Sequence, residues 1–179
     1  MQPKRYHRAL VALHWLLALM LIVALALGTF VVKAVPNSSP DKIGALQGHM
    51  IAGGLILLLT LLTLLRLFVR LKTDHPAPAT TGNALLDRVA PATHWALYLL
   101  VLLMAGSGVA MSVLAGLPGI VFGGVGTLPM NFDALPPRAV HGIVAKLLML
   151  AIGLHIAAAF YHQFIRRDGL FSRIGFGQR

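Results

Sequence analysis

Two histidines, His141 and His155, lie fourteen positions apart on one apolar stretch, AVHGIVAKLLMLAIGLHIAAAFYHQF. On an α-helix that spacing is about 21 Å along the axis, with the rings about 40° apart around it. Imidazole is an iron ligand, and an ionisable side chain inside a membrane span is costly and by default functional. One helix therefore offers two stacked ligands near opposite faces of a bilayer. Two haems held there would let electrons cross most of the membrane.

The elements that must position these rings are set by composition. Of 179 residues, 58% are hydrophobic and 11% charged, and the mean hydropathy is +0.81. A soluble domain of this length has no use for so much apolar surface, so the chain reads as an integral membrane protein. It contains no cysteine, which excludes disulfides, iron–sulfur clusters, thiolate haem ligation and cysteine nucleophiles. A formal net charge of +10 would suit nucleic acid, but the basic residues cluster at the ends of apolar runs. That is the pattern of a protein embedded in a lipid bilayer, and no nucleic-acid partner is expected.

Four stretches are long enough to cross about 30 Å of hydrocarbon: Ala9–Val32, Ile43–Leu65, Ala92–Leu114 and Ala139–Phe164. The first is too long for the apolar core of a cleaved signal peptide, and VVKAVP after it has no small-x-small cleavage site. The fold class is all-α: a single four-transmembrane-helix bundle over residues 1–179. The connections are Lys33–Lys42, Arg66–Pro91 (with the linker HPAPATTGN) and Ala115–Arg138, which is rich in Gly and Pro yet apolar. This last connection is expected to lie against the membrane surface and partly cover a cofactor beneath it. Eleven Lys and Arg fall in the termini and the middle connection, against Lys33, Lys42 and Arg138 on the other side. Both termini are therefore expected to face the cytoplasm, in a multi-pass membrane protein.

Depth sorts the eight histidines. His14 and His155 lie near the cytoplasmic ends of spans one and four, close enough in depth for one haem between them. His49 and His141 match near the outer ends of spans two and four. Topology alone thus pairs His14 with His155 and His49 with His141. His7 and His75 fall in terminal or connecting segments and read as surface residues. His94 opens span three beside Trp95, either as a rival to His14 or as an interfacial anchor. His162 lies seven residues past His155 on nearly the same face, about 10 Å nearer the cytoplasm, either beside the inner haem or as a wet interfacial residue. The only carboxylate side chains, Asp41, Asp74, Asp87, Asp133 and Asp168, lie outside the spans, which disfavours a divalent-metal site. Gly48, Gly53, Gly54, Gly106, Gly108, Gly142 and Gly153 lie on the spans near these histidines. They suit either the clearance a porphyrin needs or close helix–helix packing.

The runs RYHRALVALHW, LQGHMIAGG with LLRLFVRLK, THWALYLL and HGIVAKLLMLAIGLHIAAAFYHQFIRRD resemble the bacterial cytochrome b561 family of small di-haem membrane proteins, from about Tyr6 to Ile174. The resemblance implies a four-helix bundle with two haem b groups, the inner one on His14 and His155 and the outer one on His49 and His141. The iron axial ligands are then these four histidines. It also implies a superoxide:ubiquinone oxidoreductase, with superoxide oxidised on the periplasmic side and ubiquinone reduced near the cytoplasmic side. His162 matches a histidine associated with that quinone site and is the candidate catalytic residue, with His94 and Arg88 as further quinone-site candidates. Lys33, Lys42 and Arg138 are candidates for steering the superoxide anion. Lys146, inside span four, suits either a propionate contact or outward snorkelling. Members with this activity can carry lysines after the RLK exit; here HPAPATTGNALLDR has Arg88 as its only Lys or Arg. Two other readings stand beside this one. The first is a haem-bearing subunit relaying electrons between quinol and a separate redox partner protein, such as a dehydrogenase or periplasmic cytochrome. The second is a membrane structural or transport protein without haem.

Overall fold

A computed structural model describes residues 8–70, 84–167 and 169–175, which are nearly all helical and contain no strand. Helix α1, Arg8–Ala26, runs straight into a π-helical turn, Leu27–Val32. Helix α2 is Asp41–Arg70, α3 is Ala84–Leu114, and α4 is the short Leu117–Val121. Helix α5, Pro136–Phe160, continues into a second π-helical turn, Tyr161–Arg166, and α6 is Leu170–Ile174. The expected four spans are present as Arg8–Val32, Asp41–Leu65, Asp87–Leu114 and Pro136–Arg166. The chain is a multi-pass membrane protein.

Local sequence explains most of the boundaries. Pro136 and Pro137 open α5, where their missing N–H groups cost nothing. Gly116 and Gly169, with φ of 64° and 70°, reverse the chain before α4 and α6. Pro91 was expected in a connection but lies inside α3. A proline there removes one backbone bond. On the two carbonyls just before it, Thr93 Oγ1 donates to Val89 O at 2.9 Å and His94 Nδ1 bonds Ala90 O at 2.8 Å.

Packing places two layers around a dry centre. Leu17 and Ala24 of α1, Ile56 of α2, Val101 of α3 and the fully buried Leu148 of α5 form the main core. Leu148 is seven residues from both His141 and His155, so this core lies between the two histidine layers. Backbones pack closely from α1 to α2, α2 to α3 and α3 to α5, whereas α5 meets α1 and α2 mainly through side chains. A second small core at the end bearing the connections 33–40 and 115–135, here called the loop end, joins Leu46, Leu117 and Val121 to Val32, Met50, Leu128 and Phe132. Asn37 Nδ2 donates to Pro129 O at 2.8 Å and ties the two connections together. The Gly/Pro-rich connection therefore lies folded over the bundle. At the opposite, terminal end, Trp15 Nε1 donates to Ile174 O at 2.9 Å. Phe171 stacks edge-on against Phe160 and Phe164, which holds α6 beneath α1 and α5.

Candidate functional site

At the loop end, the gap between α2 and α5 is bridged by two imidazoles. The His49 and His141 ring centroids are 6.2 Å apart with planes at 78°. At the terminal end, His14 of α1 and His155 of α5 are 6.3 Å apart with planes at 60°. A metal–imidazole bond is about 2 Å, and the ring centroid lies about 1.1 Å behind the ligating nitrogen. Two imidazoles on opposite sides of one iron therefore have centroids about 6.2 Å apart. Both separations fit that arrangement. His94 completes a trio at the terminal end, but its centroid is 5.2 Å from His155, about 1 Å too close for the same bridging role.

The ring orientations are locally enforced. The His141 Nδ1–H points at Met104 O, 3.1 Å away, and at Ser107 Oγ, 3.2 Å away, while Ser107 Oγ itself donates to Met104 O. A histidine anchored through Nδ1 presents Nε2 as the free donor to a metal. His49 Nδ1 is buried and makes no hydrogen bond. A cost of this kind is commonly tolerated where a buried group serves a site. Glycines make room for both rings. A Cβ on Gly28 would stand 3.1 Å from His49 Cε1, and one on Gly108 would stand 3.2 Å from His141 Cε1. Gly108 was among the span glycines noted in the sequence. Gly28 was not, although a glycine inside LALGTF, where helix propensity disfavours it, was the available signal. Gly48, Gly53, Gly54, Gly106 and Gly153 have nothing within 4 Å of a notional Cβ, so they serve no close helix contact.

The remaining candidates divide. His162 sits on the second π turn, half-buried, with its ring edge-on to Tyr161 at 6.0 Å. Single π turns recur at functional sites. Arg88 and His94 are exposed on α3. Lys33 is exposed, but Lys42 is only 4% exposed. Its ammonium donates to Val32 O and, at 2.7 Å, to Val35 O, capping the last carbonyl of the first π turn and one in the connection after it. Lys42 therefore does not stand on the surface as a steering charge. Arg138 is half-buried and turned toward Gly142, so the expected trio does not form one exposed field. Lys146 is exposed on α5. His7, His75 and the linker HPAPATTGN lie outside the described residues.

A family model described as prokaryotic cytochrome b561 matches residues 5–177. A protein from Yersinia pestis named probable superoxide oxidase CybB is 26% identical over 179 residues, covering 96% of this chain and 96% of its own length. A cytochrome b562 from Cereibacter sphaeroides is 27% identical over 173 residues, covering 97% of this chain and 96% of its own length.

Proposed function

The chain belongs to the prokaryotic cytochrome b561 family of membrane electron-transfer proteins, and from that premise we propose that it oxidises superoxide at the loop end and reduces ubiquinone at the terminal end through two b haems. The observation that carries this reading is the pair of imidazole bridges, 6.2 Å and 6.3 Å, at opposite ends of one bundle. His49 and His141 hold the loop-end haem; His14 and His155 hold the other. The loop end faces the periplasm, in keeping with the distribution of Lys and Arg.

Bound haem supplies one-electron oxidation and reduction. The protein supplies spacing, burial and ligand orientation. His49 with His141, and His14 with His155, would each hold a haem between two imidazoles, and a cofactor held in that way would supply one-electron transfer without requiring superoxide to bind iron. Lys33 is an exposed cation in the connection on that side. The apolar layer around Leu148 keeps water out between the two sites. Two superoxide ions lose one electron each and leave as O2; two electrons and two protons convert one ubiquinone to ubiquinol. His162 donates a hydrogen bond to a quinone carbonyl and delivers a proton there, a role an imidazole N–H can fill. The name of the Yersinia relative supports the choice of substrate.

Stopped-flow absorbance on His162→Ala tests the assignment. Both haems should be retained, and superoxide should still reduce them in a single fast phase. Reoxidation by added ubiquinone should slow at least tenfold. A wild-type rate of reoxidation would remove His162 from the quinone site and direct attention to His94 and Arg88.

A further inference from the structure

Arg138 points the wrong way for a cation at a membrane edge. It stands near the start of α5, at the loop end. Helical side chains tilt toward their own N-terminus, and long cations near a bilayer surface reach back to water. Both tendencies would send this guanidinium outward. Instead its Nη1 lies 3.2 Å from where a Cβ on Gly142 would be, one helical turn deeper. The missing side chain at Gly142 is what lets it lie there.

Its charged surroundings sharpen the point. Arg138 is within electrostatic reach of His141 and of Lys42, and both are basic. Lys42, nearly fully buried, approaches from α2 with main-chain carbonyls as its partners. Arg138 thus lies beside His141, with the Lys42 ammonium of a second helix in its own electrostatic neighbourhood. Gathering like charges in a partly desolvated place is costly unless an anion joins them. The ligand class required is a carboxylate or similar small anion beside the loop-end imidazoles.

We propose that Arg138, laid against Gly142, anchors a propionate carboxylate of the haem held by His49 and His141, with the buried Lys42 adding to the positive field. The inference rests on the reading that these two histidines hold a haem. A guanidinium offers paired donors matched to a carboxylate. Its charge also disfavours the ferric state, so it raises the potential of the loop-end haem relative to a site without it. The other source of the same chemistry is a diffusing anion, superoxide itself.

The purified di-haem protein is compared with Arg138→Gln, Arg138→Lys and Gly142→Ala by redox titration and by resonance Raman of the propionate bending modes, with His49→Ala used to assign the loop-end signals. In Arg138→Gln the loop-end potential should shift downward and its propionate band should move, while the other haem is unchanged. Arg138→Lys should recover most of the potential. Gly142→Ala, whose methyl crowds Nη1, should give a smaller downward shift with both haems in place. That result decides the matter even where Arg138→Gln loses the loop-end haem. Unchanged loop-end potentials and propionate bands in the variants that keep this haem would overturn the proposal. If superoxide reduction then also loses its salt dependence, the guanidinium serves the diffusing anion. A single haem in the wild-type protein would overturn the haem assignment instead, which keeps the two failures distinct.

Discussion

At the residue scale, the site consists of four imidazoles, and the two at the loop end are oriented by what stands behind them. His141 is held through Nδ1 by Met104 O and Ser107 Oγ, and His49 is held by the close approach of Gly28. His49→Ala should therefore reduce the haem content from two to one by pyridine haemochrome assay, with the terminal-end spectrum intact. Loss of the terminal-end haem alone would show that the pairing is wrong. Gly28→Ala and Gly108→Ala each place a methyl just over 3 Å from a ligand ring, closer than ordinary contact. Each should alter the low-spin EPR signal of the loop-end haem, or lower its occupancy, and leave the other signal unchanged. The axial depth of these histidines was legible in the sequence because each residue advances a helix by about 1.5 Å. The groups behind the rings were not, because Ser107 and Met104 meet His141 across more than thirty residues of chain.

At the scale of elements, the two π turns are the least expected features. Both interrupt spans that read in sequence as continuous apolar helix. The first, Leu27–Val32, places Gly28 against His49 and ends at Val32, whose carbonyl Lys42 caps together with that of Val35 in the connection. Lys42→Met keeps the length of the side chain and removes the donors. It should cost roughly 1–3 kcal/mol, the penalty for buried carbonyls left without partners. Thermal denaturation of the haem-loaded protein should show this as a melting point several degrees lower. A melting point within a degree of wild type would mean that the carbonyls find other donors. A lysine at the edge of a span reads as a surface charge, because nothing in the local sequence announces that its ammonium turns inward to cap a neighbouring helix. Pro91 misleads for a similar reason: it reads as a boundary, yet α3 runs through it beside the bonds made by Thr93 and His94.

At the scale of the whole molecule, the loop-end connections form a structured cover. Leu117 and Val121 pack on Leu46 of α2, and Asn37 bonds across to Pro129. In the folded, haem-loaded protein, residues 115–138 should resist limited proteolysis, with cleavage products detected by mass spectrometry. Rapid cutting throughout the segment would show that the cover is not maintained in solution. Orientation is tested by reporters. One fused after Arg179 should signal the cytoplasm and one inserted near Gly124 the opposite side; matching signals would contradict the basic-residue count.

The amino-acid sequence by itself determined the class, the number of spans and where along those spans the paired histidines lie. Each follows from properties that accumulate locally along a chain: apolar run length, rise per residue and the placement of Lys and Arg. The tertiary structure decided which groups face one another. The 6.2 Å bridge between His49 and His141 joins residues 92 positions apart in sequence. Its length depends on how far α5 stands from α2 and how each helix is rotated about its axis. The burial of Lys42 and the inward turn of Arg138 follow from the same cause. Rotation and separation are fixed by packing between distant segments, and no local pattern encodes them.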